Sequence, residues 1–234
     1  RGSVYLDLDQ SNSPTLGDVG LGNVRITLTG RDTQNNALEI TTTTVASYNS
    51  SSAQNLLRLN GGPVETLTCA ATFNPLRSGE YLFCRLPTAD AAGYTLTETQ
   101  PVDYADRQDT VGSLSNGGAV GTAGNDVLQG IRLRNDLSTG AGDQGTRYDF
   151  GEYPLYASVA GRVYHELSRP ANTQDDEPEE DPGLVTVVSL QCQSGNFTAR
   201  QTTSNSDGQY QFNRVPVDAD CTLTESQPSG FRNA

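Results

Sequence analysis

The chain has no methionine, no tryptophan and no lysine, and it has one histidine. That histidine, His165, alternates on an expected strand beside Tyr164. No cysteine has a histidine nearby, and no serine sits in a Gly-x-Ser-x-Gly elbow, so a convergent nucleophile and base are missing and no enzyme is expected. The four cysteines show no CxxC spacing, which argues against zinc. Apolar runs of the ~20 residues that a membrane helix needs are absent, so membrane insertion is not expected in this segment. No leader is expected within this segment, because Arg1-Gly2-Ser3-Val4-Tyr5 already reads as a strand; the chain is expected to be an internal piece of a longer protein or a processed product. Basic charge is scarce: 15 arginines face 28 acidic residues, a net charge of −13. Nothing would neutralise phosphates, so neither nucleic acid nor an anionic membrane is an expected partner.

What is present favours strands and turns. Thr, Val and Tyr suit strands, and the abundant Gly, Asn and Asp suit turns. Val24, Ile26 and Leu28 alternate with Arg25 and Thr27; Tyr94, Leu96 and Glu98 alternate with threonines; Thr186, Val188 and Leu190 continue the pattern. Turns are expected at Asn35-Asn36, Asn60-Gly61-Gly62-Pro63, Ser78-Gly79 and Asp207-Gly208. Short alternating strands with such punctuation indicate an all-β chain of sandwich type.

An internal repeat organises these strands. Gly2-Ser3-Val4-Tyr5 is echoed by Gly161-Arg162-Val163-Tyr164, and Gly79-Glu80-Tyr81-Leu82-Phe83 by Gly208-Gln209-Tyr210-Gln211-Phe212. Leu86-Pro87 matches Val215-Pro216, and Thr95-Leu96-Thr97-Glu98-Thr99-Gln100-Pro101 matches Thr222-Leu223-Thr224-Glu225-Ser226-Gln227-Pro228. Four blocks in one order indicate a duplication, with a first domain at 1–153 and a second, C-terminally incomplete one at 157–234. The first copy carries an insertion near 45–73, expected to be a long loop and the best candidate for a recognition surface. An open edge on the second domain would invite a strand from a neighbouring copy of the chain or a tandem repeat.

The acidic residues gather in three places. Asp7-Leu8-Asp9-Gln10-Ser11-Asn12-Ser13-Pro14-Thr15-Leu16-Gly17-Asp18 offers oxygens at positions 1, 3, 5 and 12 of a calcium-type loop, with Asn12 where glycine usually makes the sharp turn. Asp7, Asp9, Ser11 and Asp18 are therefore candidate calcium ligands; a plain polar hairpin loop is the alternative. The corresponding second loop runs from Glu166 to Asp181 and includes a dense carboxylate run, which is either a metal site or a solvated loop. Gly121-Thr122-Ala123-Gly124-Asn125-Asp126 matches one unit of a glycine-rich calcium nonapeptide, but a single unit cannot build a β-roll. Asp126, with Asp106 and Asp109 upstream, remains a candidate for a local metal site.

The repeat blocks together, with the acidic loop, Asp109-Thr110-Val111-Gly112-Ser113 and the closing Tyr148-Asp149-Phe150-Gly151-Glu152, resemble the SdrD B-like family of bacterial surface proteins within the wider Cna-B-like fold. The resemblance implies two tandem transthyretin-like or immunoglobulin-like β-sandwiches, stiffened by calcium, in an extracellular stalk at the cell surface. It assigns calcium ligands to Asp7, Asp9 and Asp18, with Glu166 and Asp181 as the ends of the second loop. Some Cna-B-like domains carry a Lys–Asn crosslink promoted by a glutamate at the position of Glu98 and Glu225; without lysine that bond cannot form here. A module that binds a host or surface ligand is the alternative function.

Two cysteines fall in each half, Cys69 and Cys84 in the first, Cys192 and Cys221 in the second. Four cysteines allow three pairings, and four free thiols are also conceivable; one disulfide per half would imply an oxidising compartment. Placement on expected neighbouring strands favours Cys69–Cys84 and Cys192–Cys221.

Overall fold

The computed structural model describes residues 1–47, 51–71, 75–115, 117–134, 142–165, 181–193 and 197–231, and among these there is no helix. The chain is all-β and divides into two compact units, Arg1–Tyr153 and Pro154–Ala234.

The first unit contains β1 (Gly2–Leu6), β2 (Val19–Gly20), β3 (Arg25–Arg31), β4 (Ala37–Thr43), β5 (Ser52–Leu59), β6 (Val64–Ala70) and β7 (Glu80–Tyr81). It continues with β8 (Tyr94–Glu98), β9 (Tyr104–Asp106), β10 (Ser113–Leu114), β11 (Thr122–Gly124), β12 (Val127–Ile131), β13 (Gly145–Thr146) and β14 (Phe150–Pro154), whose last residue begins the second unit. Seven strands form one sheet in the order β11-β12-β8-β3-β4-β5-β6. A second sheet has the order β2-β1-β14-β9, with β7 also on β1, and β10 pairs β13. The β1–β14 pairing is parallel, Val4 opposite Phe150 and Leu6 opposite Glu152.

Alternation places the core. Along β3, Ile26 and Leu28 are buried while Arg25 and Thr29 are exposed. They meet Ile40, Leu96 and Leu128 from their own sheet and Val4, Tyr81 and Phe150 from the other, so two sheets enclose one core in a sandwich-like arrangement. Burying each such side chain contributes on the order of 1.5–3 kcal/mol.

The inserted segment is not a long loop. Its described residues form the β5–β6 hairpin, seven paired positions from Ser52–Ala70 to Arg58–Val64, which extends the large sheet by two strands. Ala53, Cys69, Ala71 and Leu76 make a small second core beneath it. The buried Asn55 side chain donates to the carbonyl of Leu82 at 2.9 Å, and the Cys69–Cys84 disulfide joins the hairpin to the segment after β7.

The second unit contains β15 (Tyr156–Arg162), β16 (Val187–Cys192), β17 (Arg200–Thr203), β18 (Gln209–Pro216) and β19 (Cys221–Glu225). β15 pairs β18, and a separate three-stranded sheet has the order β17-β16-β19. Val163, Val188, Leu190, Phe212 and Val215 form its core. Cys192 stands directly opposite Cys221, and the two are disulfide-bonded.

The sequence repeat reappears as repeated bonds. The amide of Val4 donates to Gly79 and the amide of Val163 to Gly208, both at 2.9 Å; Leu21 donates to Val4 and Leu184 to Val163. The hydroxyl of Thr44 accepts from Val24 and donates to Leu21, just as Ser204 accepts from Thr186 and donates to Leu184. Gly79 and Gly208 both take positive φ, where a Cβ would stand 2.5 Å and 1.9 Å from the carbonyl oxygens of Val4 and Val163. Three backbone segments cross there too closely for any side chain.

Candidate metal centre

Five carboxylates converge inside the first unit. Glu98 ends β8 on the inward-facing side that Tyr94 and Leu96 share; Glu152 lies on β14, two residues after the core residue Phe150. Asp126 occupies the β11–β12 turn with φ +55°, Asp106 ends β9, and Asp109 is buried in the segment that follows. Backbone bonds hold these elements in place: Glu98 N–H donates to the Asp126 carbonyl at 2.9 Å and Arg107 N–H to that of Gly151 at 2.7 Å. Carboxylate oxygens of Glu98, Asp126 and Glu152 lie within 4.8 Å of one another.

Glu98 is 3% exposed and Glu152 fully buried. Protein donors reach part of the cluster: Gln100 Nε2 donates to Glu152 Oε2, Gly151 N–H to Asp109 Oδ1 and Asn125 Nδ2 to Asp126 Oδ2, and the Asp126 backbone bonds Asp106 and Asp109. Both oxygens of Glu98, and one oxygen each of Asp106, Asp109, Asp126 and Glu152, are buried without a hydrogen-bond partner. Among the described residues no arginine forms an ion pair with any of the five. Burial first, then Glu152, Asp109, Asp126 and Asp106, pushes Glu98 up to about 10. Burial likewise raises Glu152 to about 8, Asp109 to about 7 and Asp106 to about 6, and it raises Asp126.

Buried carboxylates without partners cost several kcal/mol each as anions, so the cluster requires either protons or a cation. Calcium takes about six to eight oxygen ligands at roughly 2.3–2.6 Å, with carboxylates as its principal donors. The unpartnered oxygens form a donor set of that kind, with neither sulfur nor nitrogen among them. The residues present therefore fit a hard divalent cation.

The Asp7–Asp18 loop has the opposite character. Asp7, Asp9 and Asp18 also bring oxygens within 4.8 Å of one another, and Asn12 has the left-handed φ of +59°. Yet the loop satisfies its own carboxylates. Asp7 accepts the amides of Ser11 and Asn12 at 2.9 and 3.0 Å, and Asp9 accepts the Ser11 amide and the Thr15 hydroxyl. Asp18 accepts the amides of Leu8 and Thr15. Hydrogen bonds from Ser11 and Thr15 hold Asp9 below its ordinary value. The Ser11 hydroxyl donates to the carbonyl of Ser13. These bonds leave lone pairs on each carboxylate, so the three clustered aspartates still present a donor set to a cation.

In the second unit Asp181 is buried, and its carbonyl accepts from Arg162. Glu166 lies outside the described residues. The structure thus brings Asp106, Asp109 and Asp126 together and adds Glu98 and Glu152, which the sequence reading did not place among the ligands. A signal was present: Glu98 falls on the apolar phase of an alternating strand, where a carboxylate must find a partner.

No family model, curated protein or solved structure matches the chain.

Proposed function

We propose that the chain is a non-catalytic, calcium-stabilised structural segment of an extracellular stalk or fibre, of the kind carried by bacterial surface adhesins. One observation carries the reading: the unpartnered buried carboxylate oxygens of Glu98, Asp106, Asp109, Asp126 and Glu152 in the first unit. They come from β8, β9, the segment after it, the β11–β12 turn and β14, so one ion would tie both sheets of the unit together. Two disulfides suit an oxidising compartment, where calcium is also abundant. The sequence blocks that resemble SdrD B-like domains point the same way, with tandem β-sandwich domains as spacers and neighbouring repeats as partners.

A binding module is the second reading. The β5–β6 hairpin favours it, because Leu56 and Val64 are 47% and 51% exposed and their registers place them on one outward face.

Elemental analysis after dialysis against calcium and then a chelator, paired with thermal melts, tests the first reading. Bound calcium and a higher Tm support it; no bound metal and superimposable melts overturn it.

A further inference from the structure

The two copies of the Thr-Leu-Thr-Glu block fold into strands with very different surroundings. β8 keeps Leu96 opposite Leu28 and Glu98 opposite Ile26 on β3. β19 keeps Leu223 opposite Leu190 and Glu225 opposite Val188 on β16, which is the same register. On its other edge β8 is paired by β12, Leu128 opposite Leu96 and Val127 opposite Thr97, and β11 folds back on β12. Among the described residues nothing pairs the other edge of β19.

The exposures follow. Leu96 and Glu98 are 4% and 3% exposed; Leu223 is 41% exposed, and all five residues of β19 are exposed. The backbone donors and acceptors along that edge are a template for another strand.

We infer that the open edge of β19 is a docking site for a β-hairpin of the sequence type of residues 121–131. The docked strand runs antiparallel to β19 and sets an apolar residue over Leu223, as Leu128 sits beside Leu96. The hairpin tip brings a carboxylate beside Glu225, the place Asp126 takes beside Glu98. The occupant is therefore an acid-tipped β-hairpin of this sequence type, and the first unit supplies its template. Main-chain bonds give the affinity in such strand addition, and alternate side chains give the selectivity. The inference stands apart from the metal reading, because it rests on strand pairing and exposure.

A fluorescently labelled peptide of residues 119–134, titrated into the intact chain, tests it. Saturable binding is expected, with amide-exchange protection gained at Thr222, Leu223 and Thr224 and none at β8. Leu223→Arg in the chain, or Leu128→Arg in the peptide, should each weaken binding at least tenfold. Because Leu223 is exposed, Leu223→Arg leaves the fold intact, as an unchanged exchange pattern at β16 would verify. No saturable binding, or protection outside β19, overturns the proposal. So does concentration-dependent protection of β19 without peptide, which would show that β19 pairs with a second copy instead.

Discussion

The amide of Asp7 donates to the carbonyl oxygen of Glu152 at 2.9 Å. Asp7 opens the acidic loop, and Glu152 contributes an unpartnered carboxylate oxygen to the buried cluster, so these two acidic groups meet at one backbone bond between the end of β1 and β14.

Calcium should raise the stability of the first unit. At a hundred times its dissociation constant, an ion that binds only the folded state contributes about 2.7 kcal/mol. The double substitution Glu98→Gln and Glu152→Gln should abolish that gain while leaving the metal-free protein as stable or more so, since it removes like charges from the interior. Denaturant unfolding with and without calcium measures both effects; a calcium gain that survives the double substitution would place the site elsewhere.

Without metal, stability should fall as pH rises. The cluster carboxyls have folded pKa values near 6, 7, 8 and 10, against reference values of 3.8 for Asp and 4.5 for Glu. Folding therefore takes up protons. This stabilising contribution is complete below about pH 4 and is lost progressively as pH passes through the folded values toward 10. Calcium, which binds the ionised groups, should reverse the slope between pH 6 and 8. Thermal melts at a series of pH values, in chelator and in calcium, read the two signs.

The same leucine in the two repeats should behave differently. Leu96→Ala, at a buried position, is expected to cost about 2–5 kcal/mol. Leu223→Ala, in the matching block on an open edge, should cost less than about 1 kcal/mol. Equal losses would mean that β19 is covered.

Removing the Cys69–Cys84 bridge by double serine substitution should lower stability by about 3 kcal/mol, the scale for a loop of this length. Calcium binding should survive, because the disulfide lies in the small core under the β5–β6 hairpin and shares no residue with the carboxylate cluster. Loss of calcium binding in that variant would tie the hairpin to the metal centre.

Much of the strand pattern was legible in the sequence because it is local. Residues two apart share a face, so Ile26 and Leu28, or Tyr94 and Leu96, announce their burial. Asn35, Asn60, Gly79 and Gly208 announce turns, and all four take positive φ. The repeat blocks could likewise be read from their order, and placement on expected neighbouring strands favoured the two cysteine pairs that form. The acidic loop was visible because its residues are contiguous.

What contiguity does not carry, the tertiary structure decided. Glu98 read as the relic of a crosslink and Glu152 as part of a closing motif; only the pairing of β8 with β12 and of β1 with β14 brings both beside Asp126. The insertion read as a loop because its residues are polar, yet pairing with β4 makes it sheet, since a half-exposed edge strand tolerates polar side chains on its outer face. Leu96 and Leu223 sit in the same Thr-Leu-Thr-Glu block, so sequence alone gives them one fate. Burial belongs to the neighbour across the strand, and among the described residues β8 has one on each edge where β19 has only β16.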